Sequence, residues 1–149
     1  MAGSITSVNA VLMLTVPGVY STPQQLQNFS ADDIYDFDQQ AVAQTEMGVD
    51  GQLAGGLVFT EKKQTIYLMA DSASILIFEG WKQAQDTLRD VYIATMTTTL
   101  TSVSRKYTQS GGFLTMYSPA PNAKRVLQQR VFEITWESVV AAPTSATAF

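Results

Sequence analysis

The stretch Gly111–Ser138, GGFLTMYSPAPNAKRVLQQRVFEITWES, decides the fold. Two β-forming segments flank a turn forced by Pro119 and Pro121, and the basic pair Lys124-Arg125 follows the turn. From Val126 the sequence alternates, with Val126, Gln128, Arg130, Phe132, Ile134 and Trp136 on one side and Leu127, Gln129, Val131, Glu133, Thr135 and Glu137 on the other. Neither set is purely apolar, so this strand is expected to meet something on both faces. Upstream, the pair Gly111-Gly112 inside a strand-forming run marks a bulge or bend.

Working outward, the same period of two recurs along most of the chain. SITSVNAVLMLTV is β-rich and stops at the turn residues of PGVYSTP. QAVAQTEMG reads as a strand ending at Gly48, and the glycines at 48, 51, 55 and 56 predict a flexible loop over Gly48–Gly56. LVFTEKKQTIYLMA, Leu57 to Ala70, predicts a hairpin with Glu61–Gln64 at its tip. Phe78, Trp81, Ala84, Leu88 and Val91 recur at helical spacing after the cap-forming DSAS, which predicts one helix ending near Tyr92. Its start, ILIF, is apolar all round, while Trp81 and Trp136 are expected in the core. YIATMTTTLTSVS and RKYTQSGGFLTMYS predict two further strands, and the tail 141–149 is expected to be flexible. With no internal repeat and no dividing linker, residues 1–149 read as a single, mainly β domain with one flanking helix.

Composition narrows the chemistry. The chain has 149 residues, of which 46 % are hydrophobic and only 15 % charged, against about 25 % charged in an ordinary soluble domain. Such a surface is either rich in Thr, Ser and Gln or covered by partners. The net charge of −4 is unevenly spread: residues 1–61 carry −7 and no basic residue, and the remainder carries +3. That split suits head-to-tail self-association as well as internal neutralisation. No histidine and no cysteine occur, which removes the commonest general base, the usual triad orienter, disulfides and thiolate metal sites. No secretory signal is read in Ala10–Val16, and no apolar run approaches the ~20 residues that span a bilayer.

The candidate motifs fail on inspection. The acidic cluster Asp32, Asp33, Asp36 and Asp38 invites a calcium loop, but Ala41 stands where such a loop needs glycine and Met47 where it needs a bidentate Glu. GVDGQLAGG lacks the Lys-Ser/Thr ending of a phosphate-binding loop. Glu133 and Glu137, four apart on a strand, would sit roughly 13 Å apart, beyond a glycosidase pair. Arg105-Lys106 and Lys124-Arg125 are isolated basic doublets in an acidic protein, not a nucleic-acid clamp. No enzyme, cofactor or metal is expected.

MGVDGQLAGGLVF, LMADSAS leading into a Trp-bearing helix, LRDVY, and the block from Lys106 to Ser138 together resemble the tail tube proteins of contractile-tailed bacteriophages. The resemblance covers roughly Glu46 to Val139. It implies a small β-sandwich or open barrel with one helix, assembled as six-membered rings whose inner strands form a continuous barrel. It further implies stacking of rings into a conduit for DNA ejection inside a contractile sheath. The implied partners are further copies of the chain, the sheath, baseplate, tail terminator and tape measure proteins, and DNA in the lumen without sequence-specific binding. The implied location is the virion tail, after synthesis in the host cytoplasm, with no membrane association. Secretion-system tubes share the architecture, as do terminator and baseplate subunits.

By this resemblance Gly48, Val49, Asp50, Gly51, Gln52, Leu53, Gly55 and Gly56 would contact a neighbouring ring, anchored by Val49 and Leu53. Asp32, Asp33, Asp36, Asp38 and Glu46 are the acidic candidates for the lumen or the stacking face, with Lys62, Lys63, Arg105, Lys106, Lys124 and Arg125 as their basic complements. The hairpin Leu57–Ala70 and the strand Arg105–Tyr117 are the expected barrel-forming elements. From a different class, a monomeric β-barrel binding a small ligand has the same secondary structure, but it needs an apolar pocket and no charge split.

Overall fold

The computed structural model describes residues 10–30 and 33–143. Its elements are β1 (Ala10–Val16), β2 (Tyr20–Gln25), β3 (Tyr35–Phe37), β4 (Ala43–Met47), β5 (Leu53–Leu57), β6 (Lys62–Leu68), α1 (Ile75–Leu88), β7 (Ala94–Leu100), β8 (Arg105–Tyr117), β9 (Arg130–Trp136) and β10 (Ser138–Pro143). Eight strands form one antiparallel sheet in the order β2-β1-β7-β8-β9-β6-β3, with β10 on β8; β4 and β5 pair only with each other. Among the described residues the sheet does not close on itself.

The opening stretch organises this sheet. Strand β8 runs through two layers: Arg105–Ser110 pairs with β7 and β10, and Phe113–Tyr117 pairs with β9. Strands β9 and β10 follow β8 as one continuous partner, interrupted at Glu137, whose N–H reaches the carbonyls of both Ser110 and Gly111. The bend falls at Gly111-Gly112, as the sequence predicts. Gly111 has φ +64°, and a Cβ on Gly112 would stand 2.3 Å from the Trp136 ring. Only glycine leaves room for the indole to approach the backbone this closely at the corner.

Between the layers lies one core. Leu12, Leu14 and Val16 of β1 and Met96 of β7 meet Ile66 and Leu68 of β6 and Phe132, Ile134 and Trp136 of β9. Helix α1 closes one side with Ile75, Phe78 and Trp81, and the Phe78 ring stacks on Phe132 at 4.4 Å. Both tryptophans are fully buried, as expected of large apolar groups, and each indole N–H is satisfied: Trp81 donates to the Tyr92 carbonyl and Trp136 to Gln64 Oε1. A polar chain crosses the core, in which Gln109 donates to Gln64 Oε1 and accepts from the Thr98 hydroxyl, both at 2.6 Å.

Several expectations need correction. The hairpin Leu57–Ala70 does not form: β5 pairs backwards with β4, and β6 pairs with β9 and β3. Its two arms are both β-forming, and local pattern alone cannot say which neighbour each will choose. Leu53–Leu57 is a strand rather than part of a flexible loop, because its glycines face Gln44 and Thr45 across a pairing that tolerates them. The helix ends at Leu88, where Arg89 adopts a left-handed conformation (φ 62°), so Leu88 and Val91 stay exposed instead of extending the buried stripe. The alternation begins as a strand only at Arg130; within it Arg130, Phe132, Ile134 and Trp136 face the core. Ala141–Pro143, placed in the expected flexible tail, are the end of β10, held on Tyr107–Arg105; residues 144–149 lie outside the described residues.

Candidate functional site

Two projections leave the body. The first is an arm, the β4–β5 hairpin. Its pairing is Ala43↔Leu57, Gln44↔Gly56, Thr45↔Gly55, Glu46↔Ala54 and Met47↔Leu53. The tip is a turn in which Gly48 N–H donates to the Gln52 carbonyl at 2.8 Å, Gly51 takes φ +84°, and Asp50 Oδ1 accepts from Gln52 N–H. Opposed residues of an antiparallel pair share a face. One face of the arm therefore carries Ala43, Leu57, Thr45, Gly55, Met47 and Leu53, and the other carries Gln44, Gly56, Glu46 and Ala54. The ribbon is amphipathic.

Its apolar face nonetheless lies open. Met47 and Leu53 are each 62 % exposed, Leu57 is 70 % exposed, and Val42, Val49 and Phe59 beside them are exposed as well. In the body the inward-facing side chains of this kind, such as Leu12, Leu14, Ile66, Leu68 and Ile134, are fully buried. A lone two-stranded hairpin is marginal in water, so this one lacks the packing that would hold it. Every residue expected at the inter-ring loop, Gly48 to Gly56, lies on this arm, and Glu46 joins them there.

The second projection is the β8–β9 connection, residues 118–129. Ala123 bridges Leu127, Gln128 N–H donates to the Asn122 carbonyl at 2.8 Å, and Lys124 N–H donates to the Val126 carbonyl. This small turn presents Lys124 and Arg125 with Val126 and Leu127, all exposed. Its base is fixed by buried Arg130, which donates to the Ser118 carbonyl, lies 3.6 Å from Glu79 on α1 and stands over the rings of Phe132 and Tyr117.

The remaining candidates are dispersed. Asp33, Asp36 and Asp38 gather around Tyr67 at the β3–β6 edge; the Tyr67 hydroxyl donates to Asp36 Oδ2 at 2.8 Å. That hydrogen bond, then burial and the surrounding carboxylates, raise the Tyr67 hydroxyl above the usual tyrosine value of 10.0. Asp32 lies outside the described residues. Lys62 donates to the Glu137 carbonyl and Lys63 sits 3.5 Å from Glu61, while Arg105 and Lys106 begin β8. The acidic set is thus split between the arm and the β3 edge, and the basic set among three places.

At the open end of the sandwich, Tyr35, Phe37, Asp38, Lys62, Tyr107 and Val139 line a shallow groove of about 400 Å³. Tyr35 is raised above 10.0 by burial and by Tyr107 beside it. No group of three or more metal-ligating side chains occurs among the described residues, and no described helix is long and apolar enough to cross a membrane. Sequence reasoning missed the amphipathic polarity of the arm, which needs the β4–β5 register, and the partnership of Lys124-Arg125 with exposed Val126 and Leu127.

Residues 3–140 match the model of the family described as tail fiber protein gp32. No curated protein sequence matches the chain. Among solved structures, the chain is similar to the sheath/tube terminator of the extracellular contractile injection system PVC, with 11 % identity, TM-score 0.66, and 95 % of this chain and 99 % of that one covered. It is similar to the tube-terminating cap of the anti-feeding prophage at 13 % identity and TM-score 0.61, over 96 % and 93 % of the two chains. A chain of the PVC sheath–tube complex matches at 12 % identity and TM-score 0.58, over 89 % and 88 %. The fold is the tail-tube-like fold, mainly β with one helix.

Proposed function

The chain belongs to the family described as tail fiber protein gp32, and on that premise we propose that it is a structural subunit of a contractile tail, building the tube by self-association. The observation that carries this reading is the arm: an amphipathic ribbon with its apolar face in water belongs to a subunit whose covering surface is another molecule. The tube-type fold supports it, since it occurs in a terminator, a cap and a sheath–tube assembly. In the finer form of the proposal, six copies make a ring, rings stack within a sheath between baseplate and terminator, and DNA and a tape measure protein occupy the lumen of the virion tail. The role is mechanical, not catalytic.

The printed family description favours a second reading, in which the chain builds a fibre rather than a hollow tube. A ligand-binding barrel is disfavoured by a core filled with Trp81, Trp136, Phe78 and Phe132 and a sheet that stays open. Negative-stain electron microscopy over a concentration series, of wild type and of a variant lacking Gln52–Ala54, tests the proposal. Six-fold rings or hollow tubes from wild type, with folded but unstacked subunits from the deletion, are expected. Solid fibres would support the second reading, and monomers at all concentrations would overturn both.

A further inference from the structure

The two projections stand at opposite ends of one sheet. Strand β6 runs antiparallel to β9, pairing Lys62 with Trp136 at one end and Leu68 with Arg130 at the other. The arm returns to the body just before Lys62; the 118–129 turn enters β9 at Arg130 and leaves β8 at Tyr117. Their roots are therefore separated by the length of a seven-residue strand, roughly 20 Å at the rise of a β-strand.

The projections are complementary in charge and alike in apolar character. Between Val42 and Phe59 the only charged residues are Glu46 and Asp50; between Ser118 and Gln129 the only ones are Lys124 and Arg125. Each pair is flanked by exposed apolar side chains, Met47, Val49 and Leu53 on the arm, Val126 and Leu127 on the turn. Within one chain the two are held at opposite ends of the sheet. A second copy displaced along the strand direction brings one copy's arm to the next copy's turn. Such a contact joins two different surfaces and leaves one of each free, so it propagates.

Building on the self-assembly reading, we propose that the arm of one copy docks by its tip and apolar face on the 118–129 turn of a second copy, Asp50 at the tip facing Lys124 and Arg125 while Met47, Val49 and Leu53 cover Val126 and Leu127, with Glu46 on the ribbon's other face adding to the arm's negative charge. The rigid base at Arg130 gives the turn a fixed position, and the arm supplies the adaptable side of the contact.

Charge exchange and cross-linking test this together. Glu46→Lys with Asp50→Lys in one variant, and Lys124→Glu with Arg125→Glu in another, should each weaken association by ~10-fold or more, as desolvated close charge pairs do. An equimolar mixture of the two variants should recover association, because each variant's arm then faces an opposite charge. Since the chain has no cysteine, Asp50→Cys and Arg125→Cys copies can be mixed and oxidised, with Arg89→Cys replacing Arg125→Cys as a control; a disulfide-linked dimer is expected from the first mixture and not from the control. Association without that cross-link, or without recovery in the mixture, overturns the arm–turn pairing and leaves self-assembly standing. Failure of wild type to associate at any concentration overturns the self-assembly reading, and this pairing with it.

Discussion

The β4–β5 arm and the β6–β9 pair are built from the same kind of alternating sequence and have opposite fates. In β6 and β9 the inward set, Ile66, Leu68, Phe132, Ile134 and Trp136, is fully buried, and the outward set is polar or half-exposed. In the arm Met47, Leu53 and Leu57 sit on a shared face just as regularly, yet no described part of the chain covers them. Burial of an apolar side chain is worth about 1.5–3 kcal/mol, so the body gains this stabilisation within the chain while the arm's apolar face does not. One region is complete within the chain; on the proposal made above, the other is completed by a second copy.

The contrast can be broken first in the body. Trp136→Ala should cost about 3–5 kcal/mol of unfolding free energy, because it opens a cavity beside Ile134 and removes the indole donor to Gln64. Chemical denaturation gives this number, and a loss under 1 kcal/mol would deny Trp136 its place in the core. Gly112→Ala should cost about 1–3 kcal/mol, since the new methyl group meets the Trp136 ring. Pairing it with Trp136→Leu should recover part of the loss if that contact is its cause.

Tyr67→Phe is a finer probe, at roughly 0.5–1.5 kcal/mol for one exposed hydrogen bond. The Tyr67 hydroxyl is raised in the folded state, so its contribution is complete below pH 10 and is lost as pH rises through the folded value. Wild type should therefore lose stability above pH 10 more steeply than Tyr67→Phe; parallel alkaline profiles would contradict the Asp36 hydrogen bond. Smallest of all, Met47→Ser with Leu53→Ser should change monomer stability by less than about 0.5 kcal/mol, as surface changes do, while reducing self-association in sedimentation.

Much of this architecture was legible in the sequence, for reasons that differ by element. The Gly111-Gly112 bend, the two proline-marked turns and the buried tryptophans follow from local chemistry: a residue without Cβ, rings that fix φ, and large apolar groups. The tail-tube-like fold came from a resemblance spread over Glu46 to Val139, and the structure has that fold. Pairing was not legible. Leu57 patterns with the strand after it but pairs with Ala43 before it, because register depends on which edge is free. The helix stop at Arg89 carries no glycine to announce it. The acidic half of the chain does not gather into one surface, since Glu46 travels outward on the arm while Asp36 stays at the edge of β6. Lys124 and Arg125 are among the basic complements named from the sequence, but which of the three basic pairs lies at the end of the sheet opposite the arm depends on strand pairing.

Amide hydrogen exchange, followed by mass spectrometry at concentrations below and above the onset of assembly, tests the account most directly. Amides of residues 43–57 should exchange rapidly in the monomer and become protected on assembly, while those of Ile66, Leu68, Phe132 and Ile134 stay slow throughout. An arm already as protected as the body in the monomer, or one left unprotected in the assembled state, would contradict the claim that this hairpin is completed by a second copy.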